Sequence, residues 1–137
     1  MNTKLFVAIS LSAFLTSCSV ISPLVVDYNG VRMDVAKAIN NNITLSISDR
    51  KTLVAYAKEQ QKILSTQYAT DDLQQQLAIE RKTLKYCALQ NVSEKKLNWV
   101  DSKIFVLSDQ IEKLNNAQQL EKQIEINIEN LDCSNVF

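Results

Sequence analysis

The chain has 137 residues, 15 of them basic and 15 acidic, and no histidine. That length fits one domain, the balanced charge supplies no field to hold nucleic acid, and the missing imidazole removes Ser-His and Cys-His catalysis together with the commonest metal ligand. A single glycine and a single proline exclude Gly-rich phosphate loops and disfavour a many-turned β fold, while 46% apolar residues suffice for a modest core.

Lys4 is the one charge before Asp27, and it precedes an apolar run over 5–15 that ends in Leu15-Thr16-Ser17-Cys18. A short positive end, an apolar stretch of this length and small residues at its close predict a cleaved signal peptide over 1–17. The last four residues resemble the lipobox of bacterial lipoproteins. The resemblance implies a diacylglycerol on the Cys18 thiol and cleavage just before it. Because Ser19 rather than Asp follows, the resemblance also favours residence in the outer membrane, where a domain that binds another envelope protein is expected to face the periplasm. Two or more acyl chains hold a protein firmly to a bilayer, each buried methylene contributing about 0.8 kcal/mol. Two alternatives stay open: Cys18 as an ordinary buried cysteine, and the uncharged span 5–26 as an uncleaved membrane helix, although Pro23 interrupts it. Residues 18–30 read as a lipidated tether and 31–137 as a helical domain.

Asn29-Gly30, between Leu24, Val26, Tyr28 and Val31, Met33, Val35, has the alternation and turn chemistry of a type I′ hairpin. Val31, Val35, Ala38 and Ile39 also share one helix face that stops at Asn40-Asn41-Asn42. The helix is preferred, since few strands exist to complete a sheet. The alternation of Ile43, Leu45 and Ile47 keeps a small β element open over 24–48. Ser46 with Asp49 predicts a capping-box start for a helix carrying Leu53, Ala57, Leu64 and Tyr68, with Tyr56 and Ile63 beside them. Thr70, Asp71 and Asp72 supply a cap and first-turn negative charge for a helix bearing Leu73, Leu77, Leu84 and Ala88. With no Gly or Pro between them, these two helices could also form one bent rod. Ser93 caps the next, in which Leu97, Val100, Ile104, Leu107, Ile111 and Leu114 step by threes and fours in a heptad seam, with Trp99 and Phe105 off it. The phase breaks at Asn115-Asn116, and a new stripe follows through Ala117, Leu120, Ile124, Ile128 and Leu131.

With Cys18 assigned to lipid, Cys87 and Cys133 form an even pair, which in an exported domain reads as one disulfide. Closure of that loop is worth roughly 4 kcal/mol on the chain-entropy view; an interchain bridge or two free thiols are the alternatives. One continuous helix over 94–132 would extend about 58 Å and carry Cys133 far from Cys87. Folding back at Asn115-Asn116 brings the two within bonding reach. The expected fold is therefore all-α: three or four helices in a small antiparallel bundle closed by one intrachain disulfide. Its rival is a parallel coiled-coil homodimer, with seam and cysteines serving a partner chain.

The remaining acid–base candidates are paired carboxylates such as Asp71-Asp72 and Glu121 with Glu125. The first pair sits where a helix start favours negative charge. Glu121, Glu125 and Glu129 are spaced as a solvated face, and Glu59, Glu80 and Glu112 read as surface charges. No catalytic residue, metal ligand or cofactor is expected. Asn- and Gln-rich stretches such as Gln74-Gln75-Gln76 suit exposed helix faces. Trp99 and Phe105 are the candidate partner contacts, with core positions as the competing assignment. Asn91-Val92-Ser93 matches a glycosylation sequon and reads here as a turn and helix cap. Cys18-Ser19, Tyr28-Asn29 and Leu45-Ser46 together are similar to small helical lipoproteins of proteobacteria. Size and design are similar to secretin pilotins, and Cys133 near the C-terminus resembles the arrangement in phage spanins. The expected function is a non-enzymatic, lipid-anchored envelope protein that binds another envelope protein, as an adaptor or in pilotin-like assembly. The alternative is a homodimeric, spanin-like coiled coil, and no nucleic acid is expected as a partner.

Overall fold

The computed structural model describes residues 30–66 and 69–137. The signal peptide, Cys18, the tether through residue 29 with one arm of the suggested hairpin, and Tyr68 lie outside the described residues. Five helices follow in order: α1 Met33–Asn41, α2 Ile47–Ser65, α3 Asp71–Asn91, α4 Glu94–Ile104 and α5 Ser108–Gln123, with no strand among the described residues. The first stretch therefore takes the helical alternative. Val31, Val35 and Ile39 are buried as the helix face requires, with Ala36 rather than Ala38 completing it. Ile43 is 93% exposed and Ile47 also points outward, so only Leu45 plugs the core and the alternation over 43–47 belongs to a link.

α2 opens on the expected reciprocal cap. Ser46 Oγ accepts from the Asp49 N–H at 3.0 Å, and Asp49 Oδ2 accepts from the Ser46 N–H at 2.9 Å. Thr70 Oγ1 accepts from the Leu73 N–H at 3.4 Å and starts α3, so α2 and α3 are two helices. The buried side of α3 differs from its leucine stripe. Leu73 is exposed and Leu77 and Leu84 are half-buried, whereas Ala78, Arg81, Cys87 and Ala88 are buried. Two alanines let α3 approach its neighbours closely, and a charged partner on α5 makes the burial of Arg81 tolerable.

The heptad seam is broken ten residues earlier than its phase suggests. The chain leaves α4 at Phe105 and re-enters helix at Ser108, while Asn115-Asn116 lie inside α5. Two causes act together. Ile104-Phe105-Val106 joins β-branched and aromatic side chains of weak helix propensity. The buried Arg32 then donates Nη1 to the Ile104 carbonyl at 3.2 Å and Nη2 to the Lys103 carbonyl at 2.6 Å, completing acceptors that a helix end leaves free. Gln110 starts α5 by reaching back, its Oε1 accepting from the Val106 and Leu107 N–H groups at 3.0 and 3.2 Å. Leu97, Val100 and Ile104 consequently enter the core, whereas Leu107 and Ile111 face solvent.

The last stripe is corrected in the same way. Helix stops at Gln123, and 124–137 is irregular rather than a returning helix. This segment still carries Cys133 to Cys87, where the Cα atoms are 5.4 Å apart and the two residues form a disulfide. Two other cations close helix ends across the fold. Arg50 Nη2 donates to the Asn42 carbonyl after α1 at 3.1 Å, and Lys82 Nζ donates to the carbonyls of Glu121, at 3.0 Å, and Ile124 at the end of α5.

One core unites these elements, built on Val31, Val35, Ile39, Leu53, Tyr56, Leu97, Val100 and Ile104. Asp49 pairs with Lys96 at 2.9 Å and Tyr56 with Asp101 at 3.0 Å, so α2 and α4 run in the same sense. Gln61 bonds the backbone of Gly30 and Arg32, while Arg50 bonds Asn42, so α1 runs opposite to α2. Gly30 has φ +82°, the left-handed region in which glycine is least strained.

Candidate functional site

Polar side chains interrupt the inward faces of four helices. On α4 the inward positions run Leu97, Val100, Asp101, Ile104; on α2 they run Leu53, Tyr56, Ala57, Gln60, Ile63. The Tyr56 hydroxyl donates to Asp101 Oδ2 at 3.0 Å, and both residues are buried. Asp101 Oδ1 and Gln60 Oε1 are shut off from solvent without a partner among the described residues. On the α3–α5 side, the buried Arg81 donates Nε to Glu121 Oε1 at 2.8 Å. Glu121 is thus buried in an ion pair, which corrects its placement on a solvated face; Glu125 and Glu129 are exposed as expected.

The electrostatics follow from burial. Desolvation pushes the Asp101 carboxyl up to about 6; the Tyr56 hydroxyl and the Lys85 charge oppose the rise, and Glu121 adds to it. Desolvation, then the Asp101 charge and hydrogen bond, push the Tyr56 phenol above its ordinary range. A carboxyl poised near 6 has the acidity of a general acid or base. The cleft of about 330 Å³ is walled by Lys82, Lys85, Glu94, Lys122 and Glu121, and Asp101 is not part of its lining. The Tyr56–Asp101 pair ties α2 to α4 inside the core.

Two further clefts mark the surface. One, of about 390 Å³, lies between α3 and α5 and is lined by Leu77, Arg81, Lys113, Ala117 and Leu120, with Ile63 from α2. The other, of about 500 Å³, lies between Ile47, Val54 and Lys58 of α2 and the C-terminal Val136 and Phe137.

The candidate partner contacts separate. Phe105 is 4% exposed and belongs to the core, because the break after Ile104 turns its ring inward. Trp99 is half-buried against that core, with Lys103 Nζ 5.9 Å from its ring centroid. Asp71 and Asp72 are exposed in the first turn of α3, where a helix dipole favours them. Val92 ends α3 and Ser93 precedes α4, so the sequon-like triplet falls at a helix–helix turn. Among the described residues no group of three or more His, Cys, Asp or Glu could hold a metal ion, and no helix is long and apolar enough to cross a membrane.

Asp101 and Arg81 escaped the sequence reading and Glu121 was assigned to the wrong face, although each had a signal: a charged residue on the three-and-four spacing of an apolar face. The pairings themselves had none, since each joins two different helices. The chain matches no protein family, no curated protein and no solved structure.

Proposed function

We propose that the chain is a non-enzymatic, lipid-anchored adaptor of the bacterial envelope, a small antiparallel helical bundle held through Cys18 and docking another envelope protein. The observation that carries the docking half is the α4–α5 corner. Val106 is 64% exposed, and Leu107 and Ile111 stand exposed beside it. Arg32 binds the carbonyls at the end of α4, so this apolar corner lies at the end of the domain where the chain enters from the tether. A face so placed meets a partner close to the bilayer. The anchor rests on the lipobox-like Leu15-Thr16-Ser17-Cys18.

The homodimeric coiled coil has less support. The first half of its seam, Leu97, Val100 and Ile104, is buried in the chain's own core, and Cys133 is engaged with Cys87 of the same chain. Photo-crosslinking in intact cells tests the adaptor. A crosslinker at Leu107 should capture one dominant envelope protein, and the same group at the exposed Glu129 should not. Only self-crosslinked product would turn the assignment to the homodimer. Globomycin should block precursor processing, and normal maturation in its presence would refute the anchor.

A further inference from the structure

We propose that the cleft between α3 and α5 binds a single-chain amphiphile carrying one carboxylate, such as a medium-chain fatty acid. The proposal stands independently of the lipid anchor and the docking corner. Arg81 is its centre. The residue is 4% exposed, and its Nε is committed to Glu121. A guanidinium carries five N–H donors in a planar fork, yet neither Nη has a protein acceptor among the described residues. The side chain lines the cleft of about 390 Å³, and its Nη groups are not sealed from solvent, so the free donors of the fork are open to an acceptor lying in the cleft.

The charge balance selects the head group. Glu121 already neutralises Arg81, and the one other cation lining the cleft is Lys113. The nearest carboxylate to Lys113, that of Asp109, is 3.9 Å away and largely solvated. That long, solvent-screened pairing leaves the Lys113 charge available to a singly charged carboxylate. A dianionic phosphate would leave surplus negative charge beside buried Glu121. Carboxylate geometry also matches the paired donors of a guanidinium edge. Leu77, Ala117, Leu120 and Ile63 supply apolar walls for the chain, and the volume accommodates a tail of about ten carbons, at the lower end of ordinary ligand sites.

Titration calorimetry of the purified chain with decanoate, decanol and acetate tests this, with decanoate kept below its aggregation threshold. Decanoate should bind saturably, one per chain. Decanol, lacking the charge, should bind at least about tenfold more weakly, and acetate, lacking the tail, should show no heat of binding. Lys113→Met should weaken decanoate about tenfold. Leu77→Trp should abolish binding by filling the cleft while leaving the Arg81–Glu121 pair intact. Should that variant unfold, Ala117→Leu fills the same space from α5. Absence of saturable decanoate binding overturns the proposal, as does binding that survives both cleft-filling variants. Decanol binding as tightly as decanoate overturns the assignment of the head group to Arg81 and Lys113.

Discussion

Asp101 sits one residue from Val100 on the inward face of α4, and its burial makes stability depend on pH in an unusual sense. The folded carboxyl titrates near 6 against an ordinary 3.8, so the folded chain holds this proton more tightly than the unfolded chain. The stability it contributes is fully present below the ordinary value and is lost as pH rises through about 6, a change of about 3 kcal/mol at 1.4 kcal/mol per pH unit. Asparagine still accepts from Tyr56 but carries no charge. Asp101→Asn should therefore be more stable than the native chain at pH 7.5 by about 1–3 kcal/mol, and urea melts should lose their decline between pH 4 and 6. An unchanged slope would assign that decline to another group. Asp49 acts in the opposite direction. The Lys96 ammonium and the Ser46 N–H hold its carboxyl below the ordinary value, so its contribution is present above that value and is lost as pH falls. Arg32 illustrates a different residue-scale role. It closes the carbonyl end of α4 from across the fold, and Arg32→Met leaves those acceptors unmet in a buried place. A loss of about 2–3 kcal/mol in urea unfolding is expected, with Arg32→Lys recovering only part because an ammonium lacks the fork.

At the scale of elements, the heptad seam shows how local pattern and tertiary context divide the work. Ile104 and Ile111 occupy equivalent steps of one repeat, yet the first is fully buried and the second is exposed. Ile104→Ala should cost about 2–5 kcal/mol through the cavity it opens, whereas Ile111→Ala should stay within about 0.5 kcal/mol of the native chain. Paired denaturant melts read the contrast directly, and equal costs would mean that α5 continues the seam. Helix boundaries were legible where their signals are local: Ser46 with Asp49 and Thr70 before Leu73 at starts, and the Asn run at the end of α1. The break at 105–107 was not, since Arg32 helps to impose it from over seventy residues away. Gln110 three residues after Leu107, with Ser108-Asp109 between, was the local trace of a new start, outweighed by the regularity of the apolar steps. The site was half legible. Asp101, Arg81 and Glu121 stand out as charges on apolar spacing, but the pairings Tyr56–Asp101 and Arg81–Glu121, which make that burial tolerable, join separate helices.

For the molecule as a whole, the disulfide has a different task from closing two helices on each other. Cys87 is fully buried near the end of α3, while Cys133 belongs to an irregular segment whose backbone makes few bonds of its own. The five helices already share one core, and Lys82 already closes the end of α5. The bridge therefore does two things: it removes entropy from the unfolded chain, and it pins 124–137 against the domain. Global stability should fall by roughly 3–4 kcal/mol on Cys133→Ser, read by urea unfolding. The local effect appears first. Limited proteolysis of the reduced or substituted chain should cut within 124–132 while α1 to α4 remain intact, because regions with few buried contacts open at lower free energy than the core. Simultaneous loss of every helix would instead make the bridge a condition for the core itself. That outcome conflicts with the placement of the buried side chains: apart from Cys87 of α3, the largest fully buried ones come from α1, α2, α4 and the residues flanking them, and none comes from the segment that Cys133 holds.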